Sequence, residues 1–147
     1  MAVAADHSPR RPLHPLHAIL LAATIPLFLG ALLSDIAYAR TYEVQWTDFA
    51  SWLIAGGLVI AAIALVFALV ELFRASHRSA RLIVYIVLLA LAWVLGFIDA
   101  LVHGKDAWAA MPAGLVLSLI VTVLACTAKW IVLAGLPFSA PRSAELS

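Results

Sequence analysis

The sequence predicts an all-α integral membrane protein, a four-helix up-down-up-down bundle. Of its 147 residues, 65% are hydrophobic and 12% are charged, whereas about 25% of a soluble globular domain is charged. The mean hydropathy is +1.08. Four apolar stretches are each long enough to cross a hydrocarbon layer of about 30 Å as a helix. Because short polar segments join them, consecutive helices are predicted to be antiparallel neighbours.

The chain divides into an arm, a membrane domain and a tail. Residues 1–13 are polar and contain proline, which predicts a disordered cytoplasmic arm. The membrane domain occupies residues 14–134, and residues 135–147 form a polar tail. We place the four transmembrane spans at about 16–38, 49–73, 82–102 and 109–133.

The first span has some features of a secretory signal peptide. Arg10 and Arg11 precede an apolar run, and Ala37-Tyr38-Ala39 has the small residues of a cleavage site. The apolar run is nevertheless too long for a signal-peptide core, and Asp35 interrupts its end. We therefore expect an uncleaved transmembrane helix.

Composition and motifs argue against several classes of function. A net charge of +1 is too small to suggest nucleic-acid binding, and the single cysteine, Cys126, excludes an internal disulfide. The sequence contains no phosphate-binding glycine loop, no H-E-x-x-H motif and no recognisable catalytic set. We do not predict an enzyme, and we expect Cys126 to be a small core residue of the fourth span.

Basic residues predict the orientation of the bundle. Arg40 and Lys105 are the two basic residues predicted on one side of the membrane. The other seven flank the side that carries both termini, which we therefore place in the cytoplasm. These seven are Arg10, Arg11, Arg74, Arg78, Arg81, Lys129 and Arg142.

Small residues recur along one face of each later helix. Helices in lipid associate through close backbone approach, because burial of apolar surface provides little drive there. These faces are therefore predicted to pack against one another. They comprise Gly57, Ala61, Ala64 and Ala68 in the second span, Ala92, Gly96 and Ala100 in the third, and Gly114, Ser118, Thr122 and Cys126 in the fourth.

Asp35, Asp99 and His103 form a candidate polar cluster near the predicted outer ends of the first and third spans. Asp99 and His103 are four residues apart, so they share one helix face with Gly96. Ionisable groups at membrane depth are costly and are often functional. One interpretation is a proton or cation relay, or a ligand site, in which Asp99 and His103 form a charge-assisted hydrogen bond.

The alternative interpretation of the same residues is structural pairing. On this interpretation Asp99 pairs with His103 or Lys105, and Asp35 pairs with Arg40 or Tyr38. The sequence leaves both interpretations open.

His14 and His17 form a second candidate site at the opposite end of the first span. Their spacing of three residues places both on one helix side, an arrangement that suits a haem edge or a metal. The alternative is a pair of interfacial histidines bonded to loop carbonyls. The sequence does not determine which metal, if any, is bound.

Several of these segments resemble a bacterial membrane family defined as domain of unknown function 2231. The resemblance rests on His14-Pro15-Leu16-His17, on Leu29-Gly30-Ala31-Leu32-Leu33 with Asp35, and on the segment from Gly96 to Asp99 with His103. It covers residues 13–133 and implies a four-helix inner-membrane protein with no established activity. Some relatives are joined to redox modules such as Rieske-type domains, which implies a haem or a redox partner.

Three functions remain open at this point. The first is a structural or interaction subunit of the bacterial inner membrane, the second a haem- or quinone-linked redox subunit using His14 and His17. The third is a small proton or ion pathway through Asp35, Asp99 and His103. The expected partners are the lipid bilayer and a membrane redox or other protein, without nucleic acid.

Overall fold

A computed structural model describes residues 15–74 and 79–134, and these residues form helices joined by short connections. The long helices are α1 (Pro15–Thr41), α2 (Gln45–Arg74), α3 (Ala80–His103) and α5 (Ala113–Leu133), with a single short helix, α4 (Ala107–Ala110), before the last. The described part of the chain contains no strand. The all-α prediction is confirmed.

The four long helices form a bundle in which each packs against two neighbours. Helix α1 contacts α2 and α5, and α3 contacts α2 and α5. All four are long and apolar enough to span a membrane, and most of their surface is not covered by protein. The predicted four-helix membrane bundle is therefore confirmed, and the predicted alternation of helix direction fits this packing.

Helix α1 ends where the backbone becomes left-handed. Pro26 lies inside the helix without ending it. After Thr41, Tyr42 adopts a φ of 58°, and its N–H donates to the carbonyl of Tyr38 at 2.8 Å. This left-handed residue following the last turn is a common way to end a helix.

Two predicted helix starts differ from the structure. Helix α2 begins at Gln45, four residues before the predicted start, so Thr47 and Asp48 lie within its first turn and do not cap it. The Thr47 hydroxyl donates to the Val44 carbonyl at 2.6 Å. The fourth predicted span begins as the short helix α4, and the long helix starts only after Pro112.

The small residues of α2 and α3 lie at helix contacts, as predicted. Gly57 and Gly96 approach the ring of Phe28, which is 2% exposed. A methyl group on Gly57 would lie 2.8 Å from Phe28 Cε1, and one on Gly96 would lie 3.1 Å from Leu58 Cδ2. Glycine is needed at these positions because the neighbouring side chain leaves no room for a Cβ atom.

The position predicted for Cys126 is wrong, because this residue is exposed. Gly114, Ser118 and Thr122 of α5 are buried, but the buried face then continues through Ala125 and Ala128. A strict four-residue repeat drifts around a helix with 3.6 residues per turn. By its third step the repeat has left the packed face.

We predict that Gly96→Leu lowers the free energy of unfolding in detergent by about 1–3 kcal/mol, because the new side chain overpacks the contact with Leu58 and Phe28. Gly56→Leu on α2 is the matched control, since a Cβ atom there meets Leu27 only at 3.9 Å. Equal unfolding free energies for the two variants would contradict the packing described for Gly96.

Candidate functional site

Four buried polar residues meet near one end of the bundle, and we call them the polar cluster. Helix α1 contributes Asp35, α3 contributes Asp99 and His103, and α5 contributes Ser118. Their exposed fractions are 0%, 1%, 7% and 2%. We call this end of the bundle, where α1 and α3 end and α5 begins, the cluster end.

His103 contacts both acids through its two ring nitrogens. Nε2 lies 2.8 Å from Asp35 Oδ1. Nδ1 lies 3.0 Å from the backbone carbonyl oxygen of Asp99, one turn earlier, and 3.1 Å from Asp99 Oδ1. The imidazole therefore joins α1 to α3, and every oxygen that it contacts is a hydrogen-bond acceptor unless it carries a proton.

Ser118 lies between the two carboxyl groups. Its Oγ is 2.6 Å from Asp35 Oδ2 and 2.9 Å from Asp99 Oδ2. A hydroxyl has one hydrogen to donate and two lone pairs with which to accept. The Ser118 hydroxyl can therefore donate to only one of these two oxygens at a time.

One atom of the polar cluster has no hydrogen-bond partner. Asp99 Oδ1 is fully buried, and no donor reaches it with hydrogen-bond geometry. The nearby His103 Nδ1 makes its hydrogen bond to the Asp99 carbonyl oxygen instead. A buried carboxylate oxygen left in this way costs about 1–3 kcal/mol or more, so the oxygen indicates an unusual state of this acid.

Gly114 provides the space that the His103 ring occupies. A methyl group at this position of α5 would lie 2.7 Å from His103 Cε1 and 3.3 Å from both ring nitrogens. Gly114 and Ser118 are one turn apart on the buried face of α5. One turn of α5 thus supplies the space for the imidazole, and the next supplies the hydroxyl between the acids.

The structure brings Asp35, Asp99 and His103 together. Asp99 makes the contact with His103 that structural pairing predicts, with Oδ1 3.1 Å from Nδ1, whereas Asp35 has partners other than those predicted. Asp35 contacts His103 and Ser118, and neither Arg40 nor Tyr38. Asp99 contacts Ser118 through its carboxyl group and His103 mainly through its carbonyl oxygen.

Ser118 is the member of the cluster that the sequence analysis did not identify as functional. It was assigned to the packing face of the fourth span because serine is a small residue. The signal that could have identified Ser118 was its depth in the bundle, which is similar to that of Asp35. Ser118 lies five residues after the start of α5, and Asp35 lies six residues before the end of α1.

His14 and the side chain of His17 lie outside what the structure describes. His17 itself belongs to α1, whose first described residue is Pro15. The haem or metal site at these histidines therefore stays a prediction.

A cavity of about 270 Å³ opens at the cluster end, between the end of α1 and the start of α5. Tyr38 follows Asp35 by one turn of α1, and Leu115 precedes Ser118 by one turn of α5, so two residues of its wall lie one turn from residues of the polar cluster. Its lining is mainly apolar and aromatic: Tyr38, Ala39, Tyr42, Trp108, Met111, Pro112 and Leu115.

Sequence comparison identifies the family of the chain. The DUF2231 family, described as predicted membrane protein, matches residues 13–131. The chain belongs to the DUF2231 family. The resemblance stated from the sequence is thereby confirmed, and all four residues of the polar cluster lie within the matched region. No curated protein and no solved structure matches the chain.

The described residues of this DUF2231 protein contain no metal site. Nowhere in residues 15–74 and 79–134 are three or more His, Cys, Asp or Glu side chains arranged to hold a metal ion. In the polar cluster both ring nitrogens of His103 already face oxygens of the two acids. The chemistry that the cluster offers is therefore hydrogen bonding and proton exchange.

We predict that Gly114→Ala lowers the unfolding free energy of this DUF2231 protein by about 1–3 kcal/mol, because the methyl group displaces the His103 ring. Gly104→Ala is the control, since its methyl group would meet the nearest atom at 3.5 Å. Equilibrium unfolding in detergent gives both values.

The same experiment in a His103→Ala background tests the cause. With the ring absent, Gly114→Ala should lower the unfolding free energy by a smaller amount. The difference between the two backgrounds is a coupling energy of about 0.5–3 kcal/mol. An equal cost in both backgrounds would show that Gly114 does not serve the His103 ring.

Proposed function

We propose that this DUF2231 protein binds and releases a proton at its polar cluster, and that this is its functional centre. The observation that carries the proposal is the single Ser118 hydroxyl between carboxyl oxygens of Asp35 and Asp99, at 2.6 and 2.9 Å. One hydroxyl hydrogen cannot occupy both contacts. A second hydrogen, carried by one of the acids, makes both contacts favourable.

A count of hydrogens supports a neutral cluster. Four contacts each need one hydrogen: His103 Nε2 to Asp35, His103 Nδ1 to the Asp99 carbonyl oxygen, and Ser118 Oγ to each acid. Ser118 supplies one hydrogen, and a doubly protonated imidazole supplies two. The fourth belongs to a carboxyl group, so one acid is neutral and the other balances the imidazolium.

Asp99 is the acid that best carries this proton. Both carboxyl oxygens of Asp35 have partners, His103 and Ser118, as an ionised carboxylate requires. Asp99 Oδ1 has none. If the neutral Asp99 carboxyl group donates through Oδ2 to Ser118, Oδ1 is an uncharged carbonyl oxygen. Burying an uncharged oxygen without a hydrogen bond costs less free energy than burying a charged one.

The surroundings of the cluster favour this neutral state. No Lys or Arg of the described residues lies within ion-pair distance of either acid. Helix α2 offers no titratable group here, because its Asp48 is exposed, and α4 contains only alanine and tryptophan. Arg40, Lys105 and Asp106 at this end are exposed. An uncompensated charge buried in a membrane bundle is costly, so proton uptake is the available means of neutralisation.

A structural or interaction subunit is the second candidate function. Its support is that the same contacts connect α1, α3 and α5. The redox alternative at His14 and His17 has no support among the described residues. A visible absorption spectrum of the purified protein tests it, since bound haem gives a Soret band.

We also propose that the protein resides in the bacterial inner membrane with both termini in the cytoplasm. Support comes from family membership and from the excess of Lys and Arg on the side of the termini. The cluster end then faces outward. A reporter active only in the cytoplasm should work when fused at either terminus and fail when inserted at Glu43; activity at Glu43 would contradict the orientation.

The proton itself is testable by infrared spectroscopy. At pH 7 ordinary exposed carboxyl groups are ionised, so the carbonyl stretch of a protonated carboxyl group should report the cluster alone. We predict this band in the wild-type protein at pH 7, its loss at higher pH, and its absence from Asp99→Asn. Asp48→Asn, at an exposed acid, is the control that keeps the band. A wild-type protein without the band would contradict the proposal.

Stability measurements give an independent check. In Asp99→Asn an amide replaces the neutral acid, and Asp35 still balances His103. In Asp35→Asn an amide replaces the ionised acid, and Asp99 can lose its proton and balance His103 instead. We expect each single variant to lower the free energy of unfolding by about 1 kcal/mol or less. The double variant leaves the imidazolium without a counter-ion and should cost about 1–3 kcal/mol more than the sum. Additive unfolding free energies would show that the two acids do not share a proton.

A further inference from the structure

We infer that the polar cluster exchanges its proton only with the compartment at the cluster end, through the adjoining cavity, and that the bundle is closed on the other side. The inference rests on the proposed function and adds the route of the proton. On release, the Asp99 carboxyl O–H bond breaks, its electron pair stays on the carboxylate, and a water molecule or buffer base takes the proton.

An apolar layer closes the bundle one to two turns below the cluster. Gly96 precedes Asp99 by three residues, Val121 follows Ser118 by three, and Phe28 precedes Asp35 by seven. These residues share the helix faces that carry the cluster. All three are buried, with Phe28 and Val121 at 2% and 1% exposed.

The layer is closely packed around Gly96 and is apolar there. A methyl group on Gly96 would lie 3.6 Å from both Phe28 Cε1 and Val121 Cγ1, and 3.1 Å from Leu58 Cδ2. A single carbon added there would already touch side chains of three helices, and these apolar side chains offer a water molecule none of the two to four polar partners that it needs. Side chains of α1, α2 and α5 therefore meet against the backbone of α3 at this depth.

The polar group nearest this layer gives no onward route. The hydroxyl of Thr122 directs its hydrogen to backbone carbonyls, those of Phe28 at 3.1 Å and Ser118 at 2.7 Å. Farther along, buried Thr24 directs its hydroxyl hydrogen to the Leu20 carbonyl oxygen at 2.9 Å, and Tyr85 lies among buried Leu89, Ala125 and Ala128. Proton transfer along hydrogen-bonded groups therefore ends at the cluster.

The opposite side of the cluster has a cavity. Its volume of about 270 Å³ equals the share of about nine water molecules in the liquid. Tyr38 and Leu115 form its walls one turn from Asp35 and Ser118. The cavity is open at its outer side, and we therefore place the entry of water and buffer ions at this end.

Oriented vesicles test the inference directly. A tag on the C-terminus lies beyond the far end of α5, so affinity capture separates vesicles with the tag outside from those with the tag inside. The external pH is then raised from 7 at constant internal pH, while the carboxyl infrared band is recorded. The band should respond promptly in vesicles with the tag inside and not in those with the tag outside.

Each outcome has a distinct meaning. A prompt response in both populations, or only with the tag outside, would overturn the one-sided route while leaving proton binding intact. A band absent at every pH would instead overturn the proposed function. The wild-type protein alone distinguishes these outcomes, so the test does not require any variant to fold.

A pair of tryptophan substitutions tests the cavity as the route. Leu115→Trp fills the cavity from its wall, and Leu119→Trp, one turn along α5 at a lipid-facing position that is 47% exposed, is the matched control. After a pH jump in vesicles with the tag inside, the band of Leu115→Trp should change at least tenfold more slowly than that of Leu119→Trp. Equal rates would show that the proton does not pass through the cavity.

Discussion

The contact between His103 and Asp35 determines how the rest of the bundle is arranged. It joins residues 68 positions apart in the sequence through atoms 2.8 Å apart, with both side chains removed from solvent. In hydrocarbon a polar group must find its partner within the protein. The ends of α1 and α3 are therefore fixed at one depth, and α5 must supply a residue that accommodates the ring and a hydroxyl that reaches both acids.

Close packing around Phe28 and the hydrogen-bonded cluster depend on each other. Glycines at positions 57 and 96 let α2 and α3 approach the Phe28 ring, and the same approach sets the separation of α1 and α3 at the cluster. Trp93 adds a link between α3 and α2 at a similar depth, since its indole N–H donates to the Leu58 carbonyl at 3.1 Å. The apolar layer and the polar cluster are thus built on successive turns of the same helices.

The sequence predicts the helical membrane fold and the family well, because long apolar runs and short motifs are local properties. It also predicts a common depth for Asp35, Asp99 and His103. It does not predict Ser118 as their link, because a serine in a row of small residues has the same pattern as a packing residue. The partner of Asp35 was equally beyond local reasoning, since Arg40 is near in sequence whereas His103 is near only in the folded bundle. The exposure of Cys126 was missed because a regular repeat was extended one step too far.

Given the proposed proton binding, the depth of Asp35 would make the polar cluster sensitive to membrane voltage. Asp35 lies three residues before residue 38, where the first span is predicted to end. This is about 4.5 Å along the helix, or about 0.15 of a hydrocarbon layer of about 30 Å. A proton that reaches the cluster from this end crosses that fraction of the electric field. Since a full crossing corresponds to about 2.3 kcal/mol per 100 mV, the field contributes about 0.35 kcal/mol per 100 mV, or nearly a twofold change in proton occupancy. The same residue depth that hides the acids from solvent thus couples their protonation to the energised state of the membrane.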